Sequence, residues 1–293
     1  MNLGITGATG FIGKTIIDLA LRRGHEVVAF TRRPERGIPG CTMRAFALDR
    51  PPDLSGCDAI IHLAGEPIPG LWTPAKKQRI FESRVEGTRR VVEAINDMDK
   101  PPEVLVCGSG IGFYGDGGER ELTDDAPPGA GFLAKVCSAW EAAAQSVSKA
   151  STRVVLLRTS LVLGNGGGIL RAMTPVFRAG LGAVFGDGQQ WMSWIHVEDE
   201  ARLALFAVEN LDIRGPLNAA APWPVRNSDF TKILARTLHR PAFLRIPAFA
   251  LRLLGDLSHE LLESKRVLPA AALEHGYGFR FSELEPALKD LLG

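Results

Sequence analysis

The stretch "GITGATGFIGKTIIDLALRRGHEVVAFTRR", residues 4–33, decides the fold class of this chain. Strand-like residues lead directly into Gly7, Gly10 and Gly13, spaced G-x-x-G-x-x-G, and a helical pattern follows. Glycine lets the backbone turn sharply and approach a pyrophosphate, which the unpaired N–H groups at a helix N-terminus can bind. The strand–loop–helix context predicts dinucleotide binding, whereas the spacing alone would be weak in a chain with 32 glycines.

The end of the second predicted strand indicates which dinucleotide is bound. About 20 residues past the first glycines, an NAD-binding chain normally carries an acidic residue that accepts a hydrogen bond from the ribose 2′-hydroxyl. Here the sequence is Thr31-Arg32-Arg33. A guanidinium can pair with a 2′-phosphate, which a carboxylate would repel. The pattern favours NADP(H), and the alternative is a solvated basic turn.

Short runs rich in Val, Ile and Leu alternate with stretches of helical spacing, which is typical of a parallel sheet covered on both faces. The runs are "LGIT" (3–6), "EVVAFT" (26–31), "AIIHLAG" (59–65), "VLVCGSG" (104–110) and "RVVLLRT" (153–159). Between Thr73 and Asn96, apolar residues recur at steps of three and four, which predicts an amphipathic helix against the sheet.

The organisation changes after the last of these runs. We expect an α/β fold in which residues 1–158 form a Rossmann doubly wound parallel sheet that binds NADP(H), completed by a strand near 215–220. Residues 159–293 are expected to form a smaller, mostly helical C-terminal lobe that binds substrate. In that lobe an apolar stripe predicts a helix capped by Asn227 or Ser228.

Composition narrows the class of ligand. The 293 residues carry a net charge of +1, so there is no electrostatic reason to bind nucleic acid or an anionic membrane. No apolar run approaches the roughly 20 residues that span a bilayer, and strand-like residues begin directly after Met1 without a leader. The four cysteines show no metal-site or disulfide spacing. We expect a cytoplasmic protein with a small-molecule ligand and no metal.

Four motifs resemble the extended short-chain dehydrogenases/reductases, of the sugar-nucleotide epimerase and dehydratase kind. They are "TGATGFIG" (6–13), "AIIHLAG" (59–65), "SGIGFYGD" (109–116) and "WIHVEDEA" (194–201). Three further segments are similar to the atypical "epimerase family" subgroup, and this likeness runs over nearly the whole chain: "SRVEGTRR" (83–90), "FLAKVCSAWEAAA" (132–144) and "VLPAAALEHGYGF" (267–279). The resemblance implies an NADP(H)-binding Rossmann fold whose physiological reaction is unknown.

The predicted cofactor contacts come from the glycine loop, the ends of the following strands and two further positions. They are Gly7, Thr9, Gly10, Phe11, Ile12, Gly13, Thr31, Arg32, Arg33, Leu63, Ala64, Gly65, Arg84, Ser109 and Leu161.

The catalytic relay of the wider superfamily is missing. There, a Tyr-x-x-x-Lys pair lies on one helix face, and the lysine favours the phenolate form of the tyrosine. If the alignment is anchored on Glu141, Leu133 takes the tyrosine position and Cys137 the lysine position. If it is anchored on Lys135, Gly131 takes the tyrosine position. Neither alignment supplies a phenol.

The other two relay positions have changed as well. The catalytic Ser or Thr position is Gly110, with Ser109 displaced by one residue, and the structural asparagine is replaced by Arg84. The only tyrosines are Tyr114, in the separate "FYGD" motif, and Tyr277. The resemblance therefore implies no proton relay for this chain.

Arg84 is the most informative replacement. It lies four residues after Ile80 and four before Thr88, which places its guanidinium on the helix face that meets the sheet. A buried charge there needs an anionic partner. That partner is either a protein carboxylate or a phosphate or carboxylate of cofactor or substrate.

The remaining catalytic candidates each have a structural alternative. Glu66 follows a strand end, where ligands of doubly wound sheets bind. Lys135 faces either the nicotinamide or solvent, and Cys137 is either a reactive thiolate or a buried structural thiol. His196 either contributes to a substrate pocket or belongs to a helix start. Trp191 and Trp194 either line a pocket or fill the core, and their segment favours the pocket.

Two functions remain open. The first is an NADPH-dependent, nucleoside-sugar-epimerase-like oxidoreductase whose anionic, carbonyl-bearing substrate is held by Arg84 and the segment of Trp194 and His196. Its proton comes from water or from one of Glu66, Lys135 and Cys137. The second is a catalytically degenerate, NADPH-bound regulatory protein, since some plastid and cyanobacterial relatives are linked to organelle or cell division. A homodimer is expected only by analogy with the superfamily.

Overall fold

The structure is a computed structural model, which describes residues 1–293 with the exception of the Leu254 side chain. Sixteen strands are assigned along the chain. They are β1 (Asn2–Thr6), β2 (Glu26–Thr31), β3 (Cys41–Ala45), β4 (Ala59–His62), β5 (Val104–Gly110), β6 (Glu121–Leu122), β7 (Arg153–Thr159), β8 (Leu161–Gly164), β9 (Gly167–Gly168), β10 (Ala183–Phe185), β11 (Trp191–Met192), β12 (Trp194–His196), β13 (Gly215–Ala219), β14 (Val225–Arg226), β15 (Leu244–Ile246) and β16 (Arg266–Val267).

Ten α-helices connect and cover the strands. They are α1 (Phe11–Arg22), α2 (Pro74–Asp97), α3 (Phe132–Gln145), α4 (Leu170–Arg178), α5 (Val197–Glu209), α6 (Asn227–Thr237), α7 (Ala248–Leu251), α8 (Leu257–Leu262), α9 (Ala270–Glu274) and α10 (Leu284–Leu292). The predicted amphipathic helix between Thr73 and Asn96 is confirmed as α2, whose N-cap residue Thr73 accepts a hydrogen bond from the Lys76 N–H.

The central sheet has seven strands in the order β13-β7-β5-β4-β1-β2-β3. The pairs β1–β2, β1–β4, β2–β3 and β4–β5 are all parallel, so the carboxyl ends of these five strands meet at one edge. This confirms the predicted α/β class with a parallel central sheet. β13 lies in the segment where a completing strand was expected, and it is the edge strand next to β7.

The chain forms two compact units, each assembled from three segments. Residues 1–110, 135–158 and 201–217 form the first, and residues 111–134, 159–200 and 218–293 form the second. The domain division at residue 158 stays a prediction.

In the first unit, apolar side chains of the strands pack against α2 and α3. Phe30, Ile60 and Leu105 come from the strands, and Val91 and Trp140 come from the helices. Burial of such surface contributes about 25 cal/mol per Å². This core holds the strand ends in place at the edge of the sheet.

The second unit has its own core, which includes Phe177, Trp194, Phe230 and Leu288. Of the two alternatives for Trp194, the structure shows the core and not the favoured pocket, because its side chain is completely buried there. The predicted cap of α6 is also wrong. Asn227 is the first helical residue, and its amide oxygen accepts from the Phe185 N–H instead of capping the helix.

Among the described residues, no helix is long and apolar enough to cross a membrane.

Candidate functional site

The glycine loop joins the carboxyl end of β1 to α1. Gly7 has φ of 69°, a left-handed conformation that favours glycine, and a side chain there would lie 2.8 Å from the Leu63 carbonyl carbon. A side chain at Gly13 would collide with the Gly7 carbonyl oxygen. Gly10 is the N-cap of α1 and no side chain caps this helix. The first-turn N–H groups of α1 are thus left for a ligand anion.

The other predicted loop contacts lie at the same place. Thr9 is exposed, and Phe11 and Ile12, which begin α1, are partly exposed. Their position at the start of α1 puts all three beside the uncapped N–H groups.

The end of β2 presents two free cations. Arg32 and Arg33 are exposed, and no described carboxylate pairs with either of them. The Thr31 hydroxyl accepts from the Arg33 N–H at 3.3 Å, which orders the turn. Since β2 is the parallel neighbour of β1, these guanidinium groups lie one strand away from the phosphate loop.

The end of β4 is hydrogen-bonded to β1, on the side of β1 opposite to β2. The Thr6 hydroxyl oxygen accepts from the N–H groups of Leu63 and Ala64, at 3.1 and 3.2 Å. It also lies 2.7 Å from Nδ1 of the buried His62, whose pKa burial lowers to about 3. This neutral, buried contact fixes the backbone that leads into Gly65.

Arg84 from α2 lies across this loop. Its Nη1 donates to the Glu66 carbonyl oxygen at 2.9 Å and to the Ile80 carbonyl oxygen at 3.3 Å. Its guanidinium carbon is 5.1 Å from the centroid of the Trp140 ring. A side chain at Gly65 would approach the guanidinium to 3.1 Å, so Gly65 leaves the room that the guanidinium occupies. The predicted inward orientation is confirmed, and no described carboxylate is its hydrogen-bond partner.

Glu66 is held by α2 through both backbone and side chain. The Ser83 hydroxyl accepts from its N–H at 2.9 Å. Its Oε1 accepts from Lys76 Nζ at 3.0 Å and lies 3.5 Å from Arg79 Nε. These hydrogen bonds, with that of Lys76 first, lower the pKa of Glu66 below its usual range. Glu66 is therefore an ionised carboxylate at neutral pH.

Ser109, at the end of β5, belongs to a buried network that the sequence did not reveal. Its hydroxyl donates to Glu141 Oε1 at 2.6 Å. The same carboxylate accepts from Arg158 Nε and Nη2, each at 2.9 Å, in a bidentate pair. The signal available was a charged residue inside an apolar helix and another inside an apolar strand. The Ser109 hydroxyl has a single hydrogen and donates it to Glu141, so Ser109 cannot donate a hydrogen bond to a substrate carbonyl in this arrangement.

Cys137 is buried beside this network. Desolvation first, and then the charge of Glu141, raise the pKa of the thiol to about 11, although the charge of Arg84 opposes the rise. The thiol is protonated at neutral pH, so this geometry does not support a reactive thiolate.

The remaining candidates are Lys135, His196 and Leu161. Lys135 is exposed and has no described partner. In the second unit, the Nδ1 of His196 accepts from the Glu198 N–H at 3.1 Å, at the start of α5. Leu161 begins β8 and pairs with Trp194 of β12. The structure thus brings together the predicted residues of the first unit, while Leu161 and His196 belong to the second.

Both phenols of the chain are engaged within the second unit. The Tyr114 hydroxyl donates to Asn218 Oδ1 at 2.6 Å, and the Tyr277 hydroxyl donates to the Asp199 carbonyl oxygen at 2.9 Å. Both side chains are buried, so neither phenol compensates for the missing tyrosine of α3.

Comparison with known proteins identifies the family. The profile of the NAD dependent epimerase/dehydratase family matches residues 3–220, and a domain of unknown function, DUF1731, matches residues 246–291. The chain is 36% identical to the chloroplastic epimerase family protein SDR39U1 homolog of Arabidopsis thaliana, over 100% of this chain and 87% of that protein. It is 35% identical to the epimerase family protein YfhF of Bacillus subtilis, over 100% of this chain and 98% of that protein.

A solved structure agrees with these matches. The human epimerase family protein SDR39U1, crystallised with NADPH, superposes with a TM-score of 0.90 and 33% identity, over 100% of this chain and 99% of that one. The chain belongs to the NAD dependent epimerase/dehydratase family and is similar over its full length to its SDR39U1-like members.

Proposed function

We propose that this chain binds NADP(H) and acts as an oxidoreductase on a small, anionic, carbonyl-bearing substrate, without the usual Ser-Tyr-Lys relay. The observation that carries the proposal is the glycine loop with the uncapped start of α1, one strand away from two unpaired arginines. The pyrophosphate would lie on Gly7, Gly10 and the first turn of α1, and the 2′-phosphate on Arg32 and Arg33. That the human relative was crystallised with NADPH supports the same cofactor.

When bound, NADPH supplies a hydride, and the chain's own residues must orient the acceptor and manage one proton. Ser109 can accept a hydrogen bond but cannot donate one while its hydrogen is on Glu141. We therefore assign Ser109 to positioning and expect water to deliver the proton. The buried thiol of Cys137 holds its own proton too tightly to exchange it near neutral pH.

The cofactor assignment is tested by replacing the arginine predicted to meet the 2′-phosphate. Arg32→Ala should weaken NADPH binding by about tenfold to a hundredfold, a loss of one charge-assisted interaction, and leave NADH binding nearly unchanged. Titration of cofactor fluorescence measures both affinities. Arg36→Ala, which removes another exposed arginine nearby, is the matched control. An equal loss for NADPH and NADH would remove the 2′-phosphate assignment.

Hydride transfer is tested separately, with stereospecifically deuterated NADPH mixed with the protein and a polar metabolite extract. A deuterated product seen by mass spectrometry would establish the oxidoreductase and define the substrate class. If NADPH binds but deuterium never leaves it, the oxidoreductase proposal is wrong.

One set of observations favours the second function, a catalytically degenerate, NADPH-bound regulatory protein such as one acting in cell division. The Ser109 hydrogen and both phenols are committed to buried hydrogen bonds. Such a protein binds NADPH tightly without turnover, so the same deuterium experiment separates the two functions.

A further inference from the structure

A two-stranded parallel sheet in the second unit, formed by β10 and β15, has two outer edges that differ. The edge of β10 is covered. The Phe185 N–H donates to Asn227 Oδ1 at 2.9 Å. The Phe185 carbonyl oxygen accepts from Gln190 Nε2 at 3.2 Å and from the Gly188 N–H at 3.0 Å. Among the described strands, β10 is the only neighbour of β15, so the sheet ends there with an unpaired edge.

The backbone of Arg245 forms this open edge. The Ile246 carbonyl oxygen accepts from the Gly186 N–H at 2.9 Å, so the peptide groups of Ile246 face β10. Peptide groups point alternately to the two sides along a strand, so the N–H and the carbonyl oxygen of Arg245 point away from β10. Neither group has a hydrogen-bond partner in the part of the chain that the structure describes. Such an edge is a template for one more strand.

Four large apolar side chains close to this edge in the sequence are exposed to solvent. Phe243 precedes β15 and Leu244 begins it, and they are 91% and 48% exposed. Phe249 of α7 is 72% exposed, and Leu253, one helical turn further, is 87% exposed. Single exposed apolar residues are common, but several within one short segment are typical of an interaction surface. We call these four residues and the open edge of β15 the β15 surface.

The segments that carry this surface contain cations and no acids. Residues 230–255 contain no Asp or Glu, and neither do residues 165–186, which include β10. Arg240 Nε donates to the Arg178 carbonyl oxygen at 3.0 Å, which brings the end of α4 beside the chain that enters β15. These segments include exposed arginines that have no carboxylate partner among the described residues, namely Arg178, Arg240, Arg245 and Arg252. The β15 surface therefore favours an anionic partner.

Three kinds of occupant differ in how well they fit the β15 surface. A second copy of the same surface would place arginines against arginines, which is repulsive. A bilayer accepts Phe and Leu, but its apolar region offers no partner for the open N–H and carbonyl groups of Arg245. An extended peptide with acidic residues can pair with the backbone edge, cover the apolar side chains and neutralise the arginines. Only the peptide satisfies all three features.

We infer that the β15 surface binds an extended, acidic and apolar segment of a partner protein, which adds a strand to the open edge of β15. Side chains alternate between the two faces of a strand, so Arg245 lies on one face of β15 and Leu244 on the other. The partner segment is accordingly expected to alternate acidic residues, on the face of Arg245, with apolar residues, on the face of Leu244. The β15 surface belongs to the second unit, and its binding requires neither NADP(H) nor hydride transfer.

The test uses the full chain and a phage-displayed library of random peptides of about 12 residues, long enough to add one strand. We expect selection to enrich peptides in which Asp or Glu alternates with Val, Ile, Leu or Phe. The most enriched peptide is then synthesised with a fluorescent label, and its Kd is measured by fluorescence anisotropy. Added salt should weaken its binding, because the arginines attract it electrostatically.

Two variants remove different parts of the β15 surface. Arg245→Glu reverses the charge at the edge, and Phe243→Ser removes the most exposed of the four apolar side chains. Each should weaken peptide binding by about tenfold or more. Leu211→Ser is the matched control and should leave the Kd unchanged, because Leu211 is 66% exposed but belongs to the first unit. All three positions are exposed, so either variant suffices if the other fails to fold.

Amide hydrogen exchange shows whether the peptide pairs with the backbone. Peptide binding should slow the exchange of the Arg245 N–H in the native protein, because that N–H gains a carbonyl partner. Two forms of the peptide, N-methylated at alternate residues, test the same contact from the other side. The form whose methylated nitrogens face β15 should lose binding, and the form whose methylated nitrogens face away should bind as before.

Four results would overturn this assignment. They are a selection without enrichment, equal effects of Phe243→Ser and Leu211→Ser, unchanged exchange of the Arg245 N–H, and binding of both N-methylated forms. Vesicles of phosphatidylcholine with phosphatidylglycerol, and sedimentation of the protein alone, test the other two occupants. If Phe243→Ser abolished vesicle binding or dissociated a dimer, the β15 surface would belong to a membrane or to a second copy instead. We expect neither effect.

Discussion

Arg158 and Arg84 are two arginines of the same unit in opposite situations. Arg158 is buried and both of its donor groups on one edge meet Glu141, whose other contact is the Ser109 hydroxyl. Arg84 is held against Trp140 by carbonyl oxygens, and its corresponding edge is free. The first arrangement is complete within the protein. The second uses backbone carbonyl oxygens and leaves the guanidinium without a hydrogen-bonded carboxylate among the described residues.

This difference teaches how to distinguish a structural charge from a binding charge. Removing one partner of a closed, buried ion pair leaves an uncompensated charge, which costs stability. Removing a charge that has no hydrogen-bonded protein carboxylate should cost less stability and, at a predicted cofactor contact such as Arg84, should weaken NADPH binding instead. The variants below are ordered by the size of the effect expected from this distinction.

Glu141→Gln should give the largest loss of stability. It leaves the Arg158 guanidinium buried without its carboxylate, so we expect the free energy of unfolding to fall by about 3–5 kcal/mol. Urea denaturation measures the change. Glu86→Gln, which breaks an exposed pair on α2, should cost less than about 1 kcal/mol. The double variant Glu141→Gln/Arg158→Met should recover part of the stability that Glu141→Gln loses. If Glu141→Gln lost no more stability than the control Glu86→Gln, the pair would not be structural.

Glu200 extends the comparison to a buried acid without a cation. In the second unit, Thr159 donates to its Oε1 at 2.7 Å, and its Oε2 is buried with no partner among the described residues. Burial raises the pKa of Glu200 from its ordinary value of 4.5 to about 7. As the pH rises, Glu200 in the unfolded chain therefore loses its proton first, and Glu200 in the folded protein keeps its proton up to a higher pH.

The consequence is a loss of stability as the pH rises from about 4.5 to about 7, with a total of about 3 kcal/mol from this group. Glu200→Gln should remove that part of the pH dependence and make the protein more stable at pH 8. Glu274→Gln, which changes an exposed carboxylate, should leave the pH dependence of stability unchanged. Urea denaturation across this pH range measures the free energy of unfolding of each protein. If this free energy changed with pH in the same way in Glu200→Gln and in the native protein, the prediction would be contradicted.

Arg84→Gln should have the smallest effect on stability. It removes two hydrogen bonds to carbonyl oxygens and a ring contact, which together contribute about 2 kcal/mol, less than the closed ion pair. The same variant should weaken NADPH binding, because Arg84 is one of the predicted cofactor contacts. Urea denaturation and titration of cofactor fluorescence measure the two effects. A loss of stability as large as that of Glu141→Gln would mean that Arg84 is structural too, and the comparison would fail.

Much of the fold could be predicted because the strands are short apolar runs. β2, β4, β5 and β7 lie within runs identified in the sequence, and β1 begins one residue before its run. β3 was missed for a physical reason: it lies at the edge of the sheet and none of its residues is fully buried, so no apolar run marks it.

The candidate site could be predicted only where the chemistry is local. The glycine loop and Arg32 are read from adjacent residues, and the inward face of Arg84 is read from helical spacing. The partners of Arg84 could not be predicted, because every residue has a backbone carbonyl oxygen and the sequence does not indicate which of them a side chain contacts. The pair Glu141–Arg158 was missed because it joins a helix to a strand through tertiary packing.

The order of the strands sets the timing of folding during synthesis. β7 ends at Thr159, and its outer neighbour β13 is complete only at Ala219, about 60 residues later. At about 5–20 residues per second, the apolar β7 emerges with an unpaired edge for about 3–12 seconds. Exposed strand edges template aggregation, so the arrival of β13 closes an edge of β7 with which other chains can otherwise pair.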